Sequence, residues 1–96
     1  MLAIKIEKSF KKDIERDKKS GRYSDKDFDA LKRIITLSQN EEIIKSKFKR
    51  HPLNGDMKEF ESIHVKGDWL FIFKVDSQYL NLIMLGKHTQ VYRKFK

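Results

Sequence analysis

Three histidines and one aspartate are the residues of this chain best suited to chemistry. His51, His64 and His88 all lie in the second half of the chain, and the first half contains no histidine. Histidine is the side chain that most readily both accepts and donates protons near neutral pH. Asp68 follows His64 by four residues, directly after a glycine. This set favours general acid–base catalysis, whereas a serine or cysteine nucleophile has no support in the sequence.

The hydrophobic pattern predicts elements that would bring these residues together. In chain order they are a strand at 2–6, helices at 9–19 and 24–38, strands at 57–65, 69–75 and 79–85, and a last short extended piece at 91–92. This order predicts an α+β fold, with an antiparallel sheet and a two-helix hairpin packed on one face. We expect a single domain over residues 1–96.

Local signals refine several of these boundaries. Ser9 and Ser24 are predicted N-caps, and Asp27 would complete a capping box with Ser24. A helical turn is predicted around 42–45, and Asn54–Gly55 predicts a turn. The segment 69–75 is apolar at nearly every position, which predicts a central strand with both faces covered.

The ends of the predicted strands should place the chemical residues side by side. His64 ends one strand and Asp68 precedes the next, so a hairpin would join them. His88 follows the last long strand, and antiparallel pairing would bring it close to His64. His51 arrives in an extended segment, because Pro52 disfavours a helical conformation for the residue before it. If the helices cover one sheet face, the other face is free to form a shallow basic site.

The charge of the chain points to an anionic partner. Its net charge is +8, and four cations fall within 45–50, among them Lys47, Lys49 and Arg50. A second basic cluster begins at Arg93. Such clusters are typical of surfaces that bind nucleic acid or an acidic protein, and charge alone does not choose between them. Trp69 and Tyr92 are candidates for stacking on bases, although Trp69 is equally a candidate core residue.

Several classes of protein and site are not expected. The chain has no cysteine, which excludes disulfides and thiolate metal sites. No apolar run approaches the ~20 residues of a membrane span, so we expect a soluble, cytoplasmic protein without a membrane partner. A metal site built from two histidines and Asp68 is geometrically possible, but no tight ligand spacing supports it. We therefore expect neither a metal nor another cofactor.

One reaction needs proton transfer and no protein nucleophile. RNA carries its own nucleophile, the 2′-hydroxyl, which attacks the adjacent phosphate once a base has taken its proton. An acid then protonates the leaving 5′ oxygen, and a cation stabilises the charge that develops on the phosphate.

The motifs of the second half resemble a known family. The pattern HPLNG at 51–55, the block HVKGDW at 64–69, and Gly86-Lys87-His88 with Tyr92 four residues on are similar to the YafQ branch of the RelE/ParE toxin superfamily. The resemblance covers essentially the whole chain. It implies a RelE-like fold and the toxin of a type II toxin–antitoxin pair, which cleaves messenger RNA on the ribosome and is inhibited by an antitoxin.

The resemblance also implies roles for individual residues. The family's catalytic positions correspond to His51, His64, Asp68 and His88. Asp68 and one of His51 or His64 would handle the 2′-hydroxyl proton and His88 would be the general acid, while the choice of base stays open. Trp69 matches an aromatic residue beside the site, and Tyr92 stands where the family usually has phenylalanine. Two residues before Gly86 the family typically has an arginine that binds the scissile phosphate, and here that position is Met84. If the protein is an enzyme, the residues expected to supply this charge are Lys66, Lys87 and Arg93.

The sequence leaves other functions open. The main alternative is a non-catalytic or weakly active toxin or binding module that acts by occupying a partner, which Met84 favours and the histidines oppose. A basic RNA-binding domain with incidental histidines is a further alternative. For the toxin, charge complementarity predicts an acidic antitoxin.

Overall fold

The computed structural model describes residues 1–53 and 59–94, and of residue 94 only the backbone. Within these ranges there are three α-helices, one short 3-10 helix and five strands. Their bounds in chain order are β1 Ala3–Ile6, α1 Lys8–Ser20, α2 Asp25–Gln39, the 3-10 helix Ser46–Phe48, β2 His51–Pro52, β3 Glu61–Lys66, β4 Trp69–Val75, β5 Tyr79–Lys87 and α3 His88–Lys94. None of the helices in this part of the chain is long and apolar enough to cross a membrane.

The five strands form one mixed sheet with the order β1-β5-β4-β3-β2. Strands β2 to β5 pair antiparallel, as predicted, whereas β1 runs parallel to β5, so the sheet is not antiparallel throughout. A parallel pair needs a long crossover connection, and here the helices supply it. β4 lies in the middle, and its residues 69–73 are all buried. The central position predicted from its continuous apolar run is therefore confirmed.

The main core lies between the sheet and the hairpin of α1 and α2. Phe10 of α1 and Leu31 and Ile34 of α2 are buried there, as their helical spacing predicted. The Phe10 ring meets Phe71 of β4 edge to face, with ring centroids 5.9 Å apart. Each side chain of this size contributes about 1.5–3 kcal/mol when fully buried. These contacts fix the helical hairpin on one face of the sheet, which confirms the predicted α+β class.

A smaller apolar cluster covers part of the other face. Its buried members are Leu53, Leu70, Ile72, Met84 and Val91. This face is therefore less open than the sequence led us to expect.

The extended piece predicted at 91–92 is wrong, because α3 occupies this segment. Lys87, the last residue of β5, pairs with Trp69, the first residue of β4. Beyond Lys87 the chain thus has no β4 residue to pair with, and a helix forms its backbone hydrogen bonds internally. Within that helix Val91 is only 1% exposed and belongs to the small apolar cluster.

The starts of α1 and α2 match the predictions to different extents. At α2 the capping box is present, with Ser24 Oγ accepting from the Asp27 N–H at 3.3 Å and Asp27 Oδ2 accepting from the Ser24 N–H at 2.8 Å. At α1 the prediction of Ser9 as N-cap is wrong, since Glu7 occupies that position. Ser9 instead donates its hydroxyl hydrogen to the carbonyl of Ile83 in β5.

The segment between α2 and β3 departs most from the predicted boundaries. The helical turn expected around 42–45 lies instead at Ser46–Phe48, as a 3-10 helix. His51–Pro52 is extended, as predicted, and pairs with β3. The strand predicted at 57–65 begins at Glu61 in the described part of the chain. The predicted Asn54–Gly55 turn, and residues 57–58, lie outside the described residues.

Side chains of α1 take the place of a strand along the outer edge of β5. β1 ends at Ile6, opposite Leu82, so no described strand continues along this edge towards the end of β5. Asp13 Oδ2 accepts from the Leu85 N–H at 2.9 Å, and Arg16 Nη2 donates to the Leu85 carbonyl at 2.7 Å. Backbone groups buried away from water need such partners. α1 therefore completes the end of β5.

We predict that protonation of Asp27 weakens the fold at acid pH. The hydrogen bond from the Ser24 backbone N–H, followed by the bond from Lys66 at 3.2 Å, holds the pKa of the Asp27 carboxyl below its usual value. The ionised carboxylate therefore stabilises the folded chain above the unfolded-state pKa, and this contribution is lost as the pH falls through the folded-state pKa. We expect Asp27→Asn to lower the free energy of unfolding at neutral pH by up to about 1 kcal/mol, the size of a capping interaction.

Urea denaturation measures this effect at neutral pH and again well below the ordinary carboxyl pKa of about 3.9. Asp25→Asn is the matched control, because Asp25 lies in the same helical turn, is exposed and is outside the capping box. The gap between wild type and Asp27→Asn should close on acidification. A gap of equal size at both pH values would contradict the assignment.

Candidate active site

The three histidines form a row. The ring centroids of His51 and His64 lie 6.3 Å apart, and those of His64 and His88 lie 5.9 Å apart. Tyr92 extends the row, because its ring stacks on His88 with centroids 4.9 Å apart. The convergence predicted from the strand ends is therefore present, although His88 reaches the row from the first turn of α3.

β2 holds His51 against β3. His51 Nδ1 lies 3.0 Å from the carbonyl oxygen of Pro52, which can only accept, so Nδ1 carries the proton. In the neutral ring Nε2 then accepts from the hydroxyl of Ser62, at 3.3 Å. Ser62 is fully buried and was not among the residues predicted from the sequence. The available signal was its spacing of two residues from His64, which places both on one face of β3.

His64 is oriented by the turn that follows it. Its Nδ1 donates to the carbonyl of Gly67 at 2.9 Å. Gly67 has a positive φ of 49°, which glycine adopts at little cost. Of the two ring nitrogens of His64, only Nδ1 has a hydrogen-bond partner among the described residues. The lone pair on Nε2 of the neutral ring is therefore free to take a proton.

Asp68 orients His88 through two hydrogen bonds. Its Oδ1 accepts from Nδ1 of His88 at 3.0 Å and from the His88 backbone N–H at 3.3 Å. Gln90 Oε1 accepts from the Lys87 N–H at 2.9 Å, which is half of a capping box at the start of α3. These bonds leave Nε2 of His88 as the ring nitrogen that can serve a substrate.

Three charged residues of α1 hold the ends of β4 and β5 next to Asp68 and His88. We call these residues, Asp13, Arg16 and Asp17, the α1 clamp. Arg16 donates from Nε and Nη2 to Asp17 at 2.9 and 3.1 Å, and this bond is the main reason that the pKa of Arg16 is raised. Asp17 Oδ2 also accepts from Nε1 of Trp69 at 2.8 Å. The clamp thus holds β4 through Trp69 and β5 through its bonds to Leu85.

Gly86 is the point of closest approach between β5 and the clamp. A Cβ atom at this position would lie 2.9 Å from Nη2 of Arg16 and 3.0 Å from Oε1 of Gln90. Both atoms are engaged in hydrogen bonds of their own. A larger residue at position 86 would therefore displace these two groups from their hydrogen bonds.

The predicted cations lie around the row in different environments. Lys47, Lys49 and Lys66 line a cavity of about 290 Å³ together with His64. Lys87 is partly exposed at the end of β5, and Arg93 is exposed on α3. Arg50 instead forms a bidentate ion pair with Glu61, at 2.8 and 3.1 Å.

Two of the predicted or expected site positions are buried. Trp69 is 1% exposed and its ring stacks on Tyr23, with centroids 4.0 Å apart. Of the two alternatives for Trp69, base stacking and a core position, this burial favours the core. Met84 is 6% exposed and lies in the small apolar cluster. Its side chain is uncharged and packs with apolar residues.

A comparison with protein families identifies the chain. The family described as "Bacterial toxin of type II toxin-antitoxin system, YafQ" matches residues 2–93. The chain belongs to the YafQ family. This confirms the family membership that the motifs around the three histidines suggested.

Individual relatives and solved structures agree with this assignment. The mRNA interferase toxin YafQ of Escherichia coli K12 is 32% identical over 90 residues, which cover 82% of this chain and 98% of that protein. A metal-bound toxin from Helicobacter pylori superposes with a TM-score of 0.84 at 31% identity, covering 95% of this chain and 99% of the other. YafQ in the E. coli DinJ–YafQ complex gives 0.83 at 26% identity, covering 95% and 97%. The expected RelE-like α+β fold is confirmed.

Because the similar Helicobacter toxin is metal-bound, the histidines of this YafQ-family chain need to be considered as metal ligands. In residues 1–53 and 59–94, no group of three or more histidine, aspartate or glutamate side chains is placed to hold a metal ion. The histidine row instead uses Nδ1 of each ring in hydrogen bonds to protein oxygens.

We predict that Asp68 determines which nitrogen of neutral His88 carries the proton. In the wild type the carboxylate should keep the proton on Nδ1, and Asp68→Ala should move much of the population to the tautomer protonated on Nε2. Nitrogen-15 NMR of the histidine rings above their titration range measures this directly. His64 is an internal control, since its Nδ1 bonds to Gly67. An unchanged His88 tautomer in the variant would contradict the role of Asp68.

Proposed function

We propose that this YafQ-family toxin is a ribosome-dependent endoribonuclease that cleaves messenger RNA by metal-independent general acid–base catalysis. The observation that carries the proposal is the histidine row, in which one ring has a free Nε2 and its neighbour is oriented by a carboxylate. The names of relatives add support, since the similar E. coli proteins are mRNA interferase toxins.

In the proposed mechanism the RNA supplies the nucleophile. Nε2 of neutral His64 takes the proton of the 2′-hydroxyl, and the 2′ oxygen forms a bond to the adjacent phosphorus. The bond from phosphorus to the 5′ oxygen breaks, and Nε2–H of protonated His88 gives its proton to that oxygen. The products are a 2′,3′-cyclic phosphate and a 5′-hydroxyl. With ring centroids 5.9 Å apart, His64 and His88 are close enough for both to reach the same phosphodiester.

The choice of His64 as base over His51 rests on their hydrogen bonds. Nε2 of His51 already accepts from Ser62, whereas Nε2 of His64 is free of any partner in the described part of the chain. Asp68 is occupied by His88, so we assign it the task of orienting the acid and not of handling the 2′-hydroxyl proton.

Cations at the rim of the row would hold the RNA. Lys47, Lys49 and Lys66 share a cavity with His64, and Lys87 precedes His88. We propose that these lysines carry the charge that the family's arginine supplies at the position of Met84. Tyr92, stacked on His88, and Arg93 would extend the contact. Arg50 is paired with Glu61, so it would contribute by fixing the position of His51, the residue that follows it.

We also propose the setting of the reaction. The protein would act in the cytoplasm as a single toxin domain over residues 1–96, held inactive by its cognate antitoxin. The DinJ–YafQ complex from E. coli is a precedent for such a pair. The net charge of +8 favours an acidic antitoxin segment on this surface.

Replacement of the general acid should abolish cleavage. We expect His88→Ala to slow cleavage at least about 100-fold, the usual size of a proton-transfer contribution, with the fold retained because His88 is exposed. Primer extension on a defined message, with and without translating ribosomes, measures the cuts. Thr89→Ala, an exposed neighbour in the same helix, is the control. Undiminished cleavage by His88→Ala would remove the general acid from the mechanism.

A second function is favoured by one observation, the apolar environment of Met84. A toxin without a phosphate-binding arginine could act by occupying its partner without cleaving RNA. In that case the same primer extension would show no cuts in wild type or variants, while the toxin would still bind its target.

The environment of Met84 gives a separate prediction. Because Met84 packs among Leu70, Ile72 and Val91, we expect Met84→Arg to lower the free energy of unfolding by about 1–3 kcal/mol and not to raise the cleavage rate. Met84→Leu keeps the volume and should cost less than about 1.5 kcal/mol. Urea denaturation and the cleavage assay together measure both effects. A stable arginine variant with faster cleavage would show that position 84 faces the phosphate.

A further inference from the structure

A second cationic cavity, of about 320 Å³, lies at the turn between β3 and β4, next to Asp68. Besides the turn glycine it is lined by three cations, two aromatic residues and one carboxylate, which are Arg22, Lys66, Lys87, Tyr23, Trp69 and Asp68. Arg22 and Tyr23 come from the connection between α1 and α2. Neither residue belongs to the motifs that the sequence analysis selected.

The charge balance of this cavity favours an anion. Asp68 is the only carboxylate among its lining residues, and its Oδ1 already accepts two hydrogen bonds from His88. The ammonium group of Lys66 already forms an ion pair with Asp27, at 3.2 Å. Among the described ion pairs none involves Arg22 or Lys87, so both charges are available to a ligand.

The position of Arg22 is fixed by its neighbours. Gly21 ends α1 with a positive φ of 72°, and the Arg22 N–H donates to Ser20 Oγ at 3.2 Å. Tyr23 stacks on Trp69 at 4.0 Å between ring centroids. Burial raises the pKa of Tyr23, so its phenol stays neutral and adds no negative charge to the cavity. The turn therefore holds the Arg22 backbone beside the cavity, where its exposed guanidinium can reach an anion.

We propose that this cavity binds a backbone phosphate of RNA, with Arg22 and Lys87 as its principal ligands. The identity of the ligand rests on the proposed function. Asp68 lines this cavity and also orients His88, so a phosphate here lies beside the nucleotide whose 5′ oxygen His88 protonates. Guanidinium groups bind phosphate oxygens in pairs, and lysine adds a point charge. The cavity would therefore fix the strand on the leaving-group side of the cleaved bond.

The binding experiment uses a 2′-O-methyl RNA hexanucleotide, which cannot be cleaved because it lacks a free 2′-hydroxyl. Trp69 is the only tryptophan of the chain and lies in the cavity wall, so its fluorescence reports occupancy. We expect Arg22→Gln to weaken binding about tenfold. It should also reduce the slope of log affinity against log salt by about 0.7, the value for one phosphate of a single strand.

The matched control is Lys5→Gln, which removes one exposed positive charge elsewhere. Lys5 pairs with Asn81, six residues before Lys87 in β5, which places it roughly 20 Å from the cavity. It should leave affinity and salt slope almost unchanged. If Arg22 and Lys87 share a phosphate, Lys87→Gln should cost much less in an Arg22→Gln background than alone, whereas Lys5→Gln should add independently.

Cleavage on ribosomes distinguishes the source of the phosphate. Weaker binding of the free hexanucleotide by Arg22→Gln assigns the cavity to the messenger strand. Normal binding of the hexanucleotide with a raised KM for ribosome-bound message assigns it to ribosomal RNA, and both results support an RNA phosphate. If Arg22→Gln behaves like Lys5→Gln in both assays, or loses affinity only for the antitoxin, the proposal is overturned.

The cleavage and binding experiments together distinguish failure of this proposal from failure of the proposed function. If His88→Ala abolishes cleavage while Arg22→Gln matches its control, the nuclease stands and the phosphate site falls. If wild type cuts no RNA but its Trp69 fluorescence responds to the hexanucleotide in an Arg22-dependent way, the phosphate site stands and the nuclease falls.

Discussion

The contact between α1 and the end of β5 fixes the position of the strands next to the candidate site. β1 is too short to pair with the whole of β5, and the buried Leu85 backbone would lack partners without Asp13 and Arg16. Asp17 joins the same network to Trp69 at the start of β4. One helix thus sets the relative positions of two strand ends, and through them the separation of Asp68 and His88. Removing Arg16 would leave the buried Asp17 carboxylate without its ion-pair partner, which is more costly than losing an exposed ion pair.

The two faces of the sheet divide the work between stability and chemistry. The face under α1 and α2 holds most of the large side chains, including Trp69, Phe71 and Phe73. In the described part of the chain, the other face carries a smaller apolar cluster, in which Met84 and Val91 are buried. The histidines lie beside that cluster and remain at least partly exposed. Proton-transfer groups must reach a substrate, whereas the elements that hold them must stay rigid, and this arrangement satisfies both requirements.

Hydrogen bonds, more than burial, make the environments of the three chemically similar rings different. Each Nδ1 is tied to a protein oxygen: the Pro52 carbonyl for His51, the Gly67 carbonyl for His64 and the Asp68 carboxylate for His88. Of the three partners only Asp68 is charged. The difference between these oxygens, rather than any difference between the histidines, is what distinguishes a base from an acid in the proposed mechanism.

Features that depend on a few neighbouring residues could be predicted from the sequence alone. The capping box at Ser24, the limits of β4 and the grouping of the histidines at strand ends all follow from local propensity, alternation and turn residues. Other features follow from the folded chain: Ser9 bonds to β5, residues 88–94 are helical, Trp69 is core, and Arg22 and Lys87 line one cavity. In most of these cases the residue in contact lies tens of residues away in the chain. For residues 88–94 the reason is that β4, the neighbouring strand, begins at Trp69 and offers no residue beyond Lys87. Such partners are chosen by packing and by the need to satisfy buried backbone groups, and these are properties of the whole fold.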